Sequence, residues 1–215
     1  MLLIGTMNLT RTRSTGDFYC PTCGSLQEYR LRARRPFLTI YFIPVVPIGA
    51  AEEFVQCMQC KTNSPLAALE VDEHEFRQSQ DASFRLTLFQ SAVMVVIADD
   101  TISEAEIDTL IDLGNQLLPD GMDREQLGAI CSSTRLNRIP PTNYISTVSR
   151  PWSTAQKRTA VQAIFLAATA EGKLEKPQLK LLTWLRDHFG MSEREYEMAI
   201  DQAVESGLNL EKTAK

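Results

Sequence analysis

Two Cys-x-x-Cys pairs constrain this 215-residue chain more than any other feature. Each pair forms a tight turn with two thiols on one side, and two such turns supply the four soft ligands that tetrahedral Zn²⁺ prefers. We therefore predict a closed structural zinc site. Its ligands are Cys20, Cys23, Cys57 and Cys60. Redox motifs or free thiols are the alternative, although a thioredoxin-like motif is single and lies in a βαβ context.

Charge and cysteine content divide the chain near Pro65. Residues 1–65 carry seven Lys and Arg against four Asp and Glu, whereas the rest of the chain carries fifteen against twenty-three. The basic part has short apolar runs broken by Gly and Pro, which is typical of strands, and the acidic part has apolar residues at helical spacing. We predict a zinc-ribbon domain over 1–65, a linker and helix lead-in over 66–81, a helical domain over 82–206 and a C-terminal tail over 207–215. A domain of about 60 residues is marginal on core burial alone, so we expect zinc binding and folding of the ribbon to be coupled.

A basic stripe lies between the two cysteine pairs. It consists of Arg30, Arg32, Arg34 and Arg35. The first three alternate with apolar residues, which is the period of a strand, and residues 37–43 predict the returning strand of a hairpin that turns at Arg35 and Pro36. Arginines on one strand face are candidate phosphate contacts, so nucleic-acid binding is an alternative function of this domain.

Residues 36–51 contain no charged side chain. The segment is shorter than the ~20 residues of a spanning helix, and its prolines would interrupt a helix. A strand within the ribbon that these prolines end is the preferred interpretation, and a shallow peripheral membrane contact is the alternative. We expect no transmembrane segment. Because the start of the chain shows no apolar run of secretory length and the cysteine count is odd, we expect a cytoplasmic location.

These residues resemble bacterial zinc-ribbon proteins. The shared pattern is a short apolar strand with a glycine at residues 2–5, the first cysteine pair, a basic hairpin at 30–35, the segment Phe-Ile-Pro-x-x-Pro at 42–47 and the second cysteine pair. The resemblance covers about the first 65 residues. It implies a zinc-ribbon fold and a zinc ion, but no activity.

The acidic part predicts about seven helices from Ala82 onward. Capping-box spacing, a side-chain acceptor followed three residues later by Glu or Gln, occurs at 103–106, 123–126, 153–156 and 192–195. Residues 92–106 and 164–178 form an internal repeat offset by 72, and each copy is an apolar helix, an acidic turn and the start of another helix. Such a repeat predicts helical hairpins related by a pseudo-twofold axis.

This repeat resembles the TerB-like family of all-helical domains, which includes tellurite-resistance TerB and the amino-terminal region of the DjlA co-chaperones. The resemblance covers roughly residues 82–206 and implies a divalent-cation site for Ca²⁺ or Mg²⁺. Its candidate ligands are Asp99, Asp100, Glu106 and Glu171. Pro177 and Gln178 depart from the family pattern and remove one carboxylate. The alternative interpretation is that these carboxylates cap helix N termini and need no metal.

The predicted fold is therefore a small β zinc ribbon followed by an all-α TerB-like domain with an internal pseudo-twofold repeat. No glycine-rich phosphate loop, G-x-S-x-G or H-E-x-x-H motif occurs, so we expect no enzymatic activity. The predicted function is a zinc-binding adaptor whose helical domain binds a divalent cation or a protein partner, in a bacterial stress or envelope-associated system as the TerB resemblance implies. Nucleic-acid binding through the ribbon is the alternative.

Overall fold

The computed structural model describes residues 4–99, 101–172 and 174–206, without the side chains of Asp99 and Ser206. The chain divides into two compact units, Met1–Gln80 and Asp81–Lys215. Within the described residues the first unit contains an antiparallel β-sheet and the second is helical. This order confirms the predicted β region followed by about seven helices. The predicted tail at 207–215 lies outside the described residues.

Five strands form one antiparallel sheet in the described part of the first unit. The strand order is β1-β2-β4-β5, and β3 pairs with β2 further along the same strand than β4 does. The strands are β1 (Ile4–Cys20), β2 (Ser25–Ile40), β3 (Ile43–Pro47), β4 (Glu52–Cys57) and β5 (Asn63–Ser64).

The longest pairing joins β1 to β2 across the first cysteine turn. It runs from Cys20 opposite Ser25 to Ile4 opposite Ile40, with a β-bulge just after Thr12. Most of β1 is exposed, and buried residues occur only near its cysteine end. Among the described residues, the apolar core of this hairpin lies beside the cysteines, and its far end buries only Thr39.

The predicted turn at Arg35 and Pro36 is wrong, because β2 continues through both residues and Pro36 pairs with Asn8. Proline is tolerated here for a geometric reason. The N–H and C=O of a strand residue point to the same side, and the Pro36 carbonyl accepts a bond of 2.9 Å from the Ile48 N–H, outside the β3 and β4 ladders. An N–H at position 36 would point to this same side, where neither ladder has a hydrogen bond at Pro36, so the proline costs no strand pairing.

A two-residue turn, Tyr41 and Phe42, joins β2 to β3. Both residues have positive φ, 49° and 65°, and the flanking Ile40 and Ile43 are paired, which defines a type I′ hairpin. Asn and Gly are the usual residues at such a turn, because a larger side chain crowds the left-handed backbone. The two prolines predicted to end the strand lie inside β3 instead, which is an edge strand where a missing N–H is tolerated.

A 3₁₀ helix (Leu66–Leu69) and the start of α1 complete the first unit. Leu69 packs against the small core beside the cysteines. Phe76 is buried and stacks on Tyr19 of β1, with ring centroids 5.1 Å apart. The segment predicted as a linker and helix lead-in thus contributes apolar side chains to the packing of the ribbon.

Seven α-helices follow the sheet in the described residues. They are α1 (Glu73–Val96), α2 (Glu104–Leu117), α3 (Arg124–Asn137), α4 (Pro141–Val148), α5 (Thr154–Ala168), α6 (Lys176–His188) and α7 (Glu193–Ser206). All four predicted capping boxes form, at the starts of α2, α3, α5 and α7. None of the helices in this part of the chain combines the length and apolarity needed to cross a bilayer.

Side chains from all seven helices contribute to the core of the second unit. Its largest fully buried members include Leu88, Phe89, Leu110, Ile164 and Leu185. Met122 packs beside Gly114, where an added Cβ would come within 2.5 Å of the methionine Cβ. This close approach explains why α2 and the start of α3 pack tightly.

Candidate metal centre

The two Cys-x-x-Cys turns have the same backbone geometry. In the first, the Gly24 N–H donates to the Cys20 carbonyl at 2.9 Å, and in the second the Lys61 N–H donates to the Cys57 carbonyl at 3.1 Å. Gly24 and Lys61 both take positive φ, 69° and 62°. Each turn therefore folds back on itself four residues after its first cysteine, which places both thiols of a pair on one side.

The four thiols converge on one point. All four sulfur atoms lie within 4.8 Å of one another. Two of the separations are 3.7 Å, between Cys20 and Cys60, and 3.9 Å, between Cys23 and Cys57. Zn–S bonds of ~2.3 Å in a tetrahedron place the sulfur atoms about 3.8 Å apart. The sulfur positions thus fit a single Zn²⁺ ion.

Burial and hydrogen bonding set different proton affinities for these thiols. Burial raises the pKa of Cys20, and burial together with the neighbouring thiols raises the pKa of Cys23 to about 12. At Cys60 burial acts in the same direction, but hydrogen bonds from the Thr62 hydroxyl and N–H outweigh it and lower the pKa to about 6. Because zinc binds thiolates, metal binding must release protons from this site, and zinc affinity falls as the pH falls.

Thr62 is a site residue that the sequence analysis missed. It donates to the Cys60 sulfur, and its carbonyl accepts a bond of 3.0 Å from the Cys57 N–H. No sequence signal distinguishes Thr62 from the other hydroxyl residues near the cysteines, such as Thr22 and Ser25. Thr62 therefore orients the second cysteine pair from outside the ligand set.

The core around the thiols is small. Its buried residues in the described part of the chain are Phe18, Cys20, Val55 and Cys57, so half of them are candidate metal ligands. Phe18 packs edge-on against Tyr29, with ring centroids 5.7 Å apart. Since so few apolar side chains are buried here, zinc coordination is a large part of what holds the sheet to the cysteine turns.

The predicted basic stripe is partly occupied by β4. Arg34 forms a salt bridge of 2.7 Å with Glu52, and Arg32 donates to Gln56 at 2.8 Å. Arg35 donates from Nε to the Gly49 carbonyl at 2.9 Å, whereas Arg30 is exposed. These intramolecular partners compete with phosphate for three of the four arginines of the stripe.

The described candidate cation ligands do not come close enough together to share an ion. Glu106 is 5% exposed, and its carboxylate accepts from the Ser103 N–H at 2.9 Å, so it caps α2. Glu171 is exposed in the turn after α5, while Asp100 and the side chain of Asp99 lie outside the description. Among the described residues, the four cysteines are the one group of three or more His, Cys, Asp or Glu close enough to share an ion.

Gln178 contacts Glu106, its equivalent in the predicted repeat. Its Nε2 donates to Glu106 Oε1 at 3.1 Å and to the Val96 carbonyl at 3.3 Å. Both side chains stand at the third position of their helices and close the capping boxes of α2 and α6. A contact between equivalent residues is expected where a pseudo-twofold axis passes between them, and the symmetry itself stays a prediction.

Comparison with known proteins supports the ribbon. The sequence model of a zinc-ribbon family matches residues 18–107, a segment that includes both cysteine pairs. Together with the four converging thiols, this match supports the predicted zinc ribbon and its binding of zinc. No curated protein and no solved structure matches the chain. The TerB resemblance and a bacterial origin stay predictions.

Proposed function

We propose that this chain is a non-enzymatic adaptor in which zinc holds a β-ribbon together and the helical unit binds a protein partner. The observation that carries the proposal is the four-thiol set, which saturates a tetrahedral ion and leaves no coordination position for a substrate. A metal bound in this way stabilises a fold rather than activating water. We also propose a cytoplasmic location, because reduced thiols are required for coordination.

Cobalt substitution tests the closed site. The visible spectrum of Co²⁺ bound to four thiolates reports tetrahedral geometry, and a saturated site keeps that spectrum when imidazole or azide is added. An unchanged spectrum supports a structural role. A spectrum that shifts with either ligand would show an open coordination position and contradict the non-enzymatic proposal.

A groove on the second unit is the proposed partner site. It has a volume of about 410 Å³ and lies between the start of α5 and α7. Its apolar lining is Phe189, Met191 and Met198. Lys157 and Arg158 add positive charge, which the carboxylate of Glu195 offsets in part. Methionine side chains adapt their shape to a bound segment. This lining fits an apolar segment of a partner that also carries Asp or Glu.

A photo-crosslinking residue at position 198 tests this groove, with one at position 136 as control. Both positions are exposed and apolar, Met198 by 62% and Leu136 by 81%, but only Met198 lines the groove. We expect one protein to crosslink from position 198 alone and then to bind the purified chain. Equal crosslinking from both positions would contradict a specific groove.

Divalent-cation binding by the helical unit remains a separate proposal, supported by the TerB resemblance alone. Titration with Ca²⁺ or Mg²⁺ during thermal unfolding tests it, because a ligand of the native state raises the melting temperature. The proposed bacterial stress or envelope-associated role rests on the same resemblance.

Nucleic-acid binding through the ribbon is the competing proposal, supported by the exposed Arg30 and its neighbours in the stripe. Filter binding over a salt series distinguishes it from the adaptor role. Contacts to several phosphates make affinity fall steeply with salt, and affinity that is absent or independent of salt would favour the adaptor.

A further inference from the structure

We propose that the end of the ribbon farthest from the zinc site binds the surface of an anionic lipid bilayer. This distal arm consists of residues 4–10 of β1 and residues 36–51, which include the end of β2, the turn and β3. The proposal goes beyond the adaptor function, because it assigns a ligand to a surface that neither the zinc site nor the helical groove uses.

The distal arm is uncharged and exposes large apolar side chains. No Asp, Glu, Lys, Arg or His occurs in residues 4–10 or 36–51. Ile4, Tyr41, Phe42, Ile43, Val45 and Val46 are each at least 49% exposed, and Phe42 reaches 75%. Single exposed apolar residues are ordinary on protein surfaces, but a continuous group of this size marks an interaction site.

The arm also projects beyond the rest of the sheet. β4 pairs with β2 only up to Arg34, whereas β1 pairs with β2 as far as Ile40. Six residues of strand at ~3.3 Å each give a projection of about 20 Å. This length exceeds the ~5–10 Å depth at which peripheral elements enter the boundary between headgroups and acyl chains.

The turn at the tip carries aromatic residues against its backbone preference. Tyr41 and Phe42 both occupy the left-handed region, where a non-glycine residue costs ~1–2 kcal/mol. Residues held at such a cost are expected where they serve a function. Compared with Asn and Gly, Tyr41 and Phe42 provide aromatic surface, and aromatic side chains are favoured at the membrane–water interface.

Arginines stand where the uncharged arm ends. Arg35 directly precedes residues 36–51, and Arg11 directly follows residues 4–10. Glu52 and Glu53 follow residue 51, but their carboxylates pair with Arg34 and Arg13. Both line a groove of about 780 Å³ that Leu9 and Phe37 continue toward the tip. Neither arginine has a carboxylate partner among the described residues, and Arg35 uses its Nε to hold the Gly49 carbonyl. Positive charge behind an apolar tip is complementary to lipid phosphates, which selects an anionic bilayer.

The backbone sets the depth of this contact. Open strand edges do not enter the hydrocarbon region, because their unpaired N–H and C=O groups would lose water. Pro44 and Pro47 lower that cost at the β3 edge since they lack an N–H, and for the same reason this edge is a poor template for a second copy of the chain. The arm therefore fits the interfacial layer of a membrane better than it fits another strand.

Vesicle binding by the full chain tests the proposal. The probes are neutral vesicles of pure phosphatidylcholine and anionic vesicles in which about a third of the lipid is phosphatidylserine. The variant Tyr41→Asn/Phe42→Gly removes the aromatic tip but supplies the residues that a type I′ turn favours, so unfolding cannot explain a loss of binding. Arg11→Gln/Arg35→Gln removes two charges from the arm, and Arg30→Gln/Arg150→Gln removes two exposed charges elsewhere as the matched control.

We expect the wild-type chain to bind the anionic vesicles, with affinity that falls with salt, and to bind the neutral ones at least about tenfold more weakly. The turn variant and Arg11→Gln/Arg35→Gln should each bind at least about tenfold more weakly than the control variant. Wild-type binding that is absent, or equal binding by the turn variant, overturns the proposal. Light scattering that shows a wild-type dimer and a monomeric turn variant, without vesicle binding, overturns it in favour of a second copy.

Discussion

Cys131 is the one cysteine of the chain that does not belong to the cluster of four thiols. It is buried in the core of the helical unit, and burial raises its pKa. The other four cysteines converge at the ends of the strands. The odd cysteine count therefore divides into four ligands and one apolar core side chain.

Cysteine variants test this division. We expect Cys57→Ser to lose its zinc during dialysis, because serine replaces a thiolate with a poor ligand for zinc. Cys131→Ala should keep its zinc and lose only about 1 kcal/mol of unfolding free energy. Metal analysis by mass spectrometry and denaturant unfolding measure the two effects. Loss of zinc from Cys131→Ala would contradict the assignment.

His188 makes stability depend on pH. Its ring stacks on Trp184 at a centroid distance of 4.6 Å, and burial, followed by the charge of Lys157, lowers its pKa. The unfolded state therefore binds a proton more readily than the folded state does, so the contribution of His188 to stability is lost as the pH falls below its ordinary value of ~6.5. We expect His188→Gln to flatten the decline in unfolding free energy between about pH 7 and pH 5. Parallel curves for the two proteins would contradict this.

At the scale of secondary-structure elements, Glu106 and Gln178 connect the first turns of α2 and α6. Gln178→Glu would put two carboxylates at hydrogen-bond distance in a buried place. We expect a loss of roughly 1–3 kcal/mol in unfolding free energy at neutral pH. The loss should shrink in acid, because one carboxyl can then hold a proton between the two.

The matched control for this prediction is Gln126→Glu. It makes the same change at the same helix position, in the exposed capping box of α3. A carboxylate near an exposed helix N terminus is neutral or favourable. Chemical denaturation from pH 4 to pH 7 measures both variants, and equal behaviour would show that the buried contact contributes nothing.

Helix starts were predictable because their information is local. A capping box needs only two residues three apart, and all four predicted boxes form. The strands were harder, since β1 is exposed along most of its length and has no apolar face for a period of two to reveal. The register of β1 against β2 also depends on residues far apart in the sequence, such as Asn8 and Pro36. For this reason the sequence alone places the turn at Pro36, whereas the strand continues through it.

The metal site follows the same logic. The four cysteines were predictable from spacing alone, because ligand chemistry is carried by the residue type. Thr62 was not predicted, since many hydroxyl residues occur near cysteines and only the folded turn shows which one donates to sulfur.

At the scale of the whole molecule, the two units bury very different numbers of residues. Among the described residues, the helical core contains 26 buried apolar residues, whereas the ribbon core contains four, two of them candidate zinc ligands. We expect a zinc chelator to unfold the ribbon while the helices persist. Circular dichroism should keep its helical signal, and amide exchange should accelerate only in residues of the first unit. Retained protection in β2 and β4 after metal removal would contradict coupled folding.

The contact of Glu106 with Gln178 bears on the ancestry of the helical unit. If the offset of 72 residues records a gene duplication, a half-length ancestor pairing with its own copy would have placed two identical side chains at the axis. Two carboxylates there would repel each other, whereas the carboxylate and the amide now present form a hydrogen bond. Under that origin an unlike pair became possible only once both halves belonged to one gene, so the mixed pair would postdate their fusion.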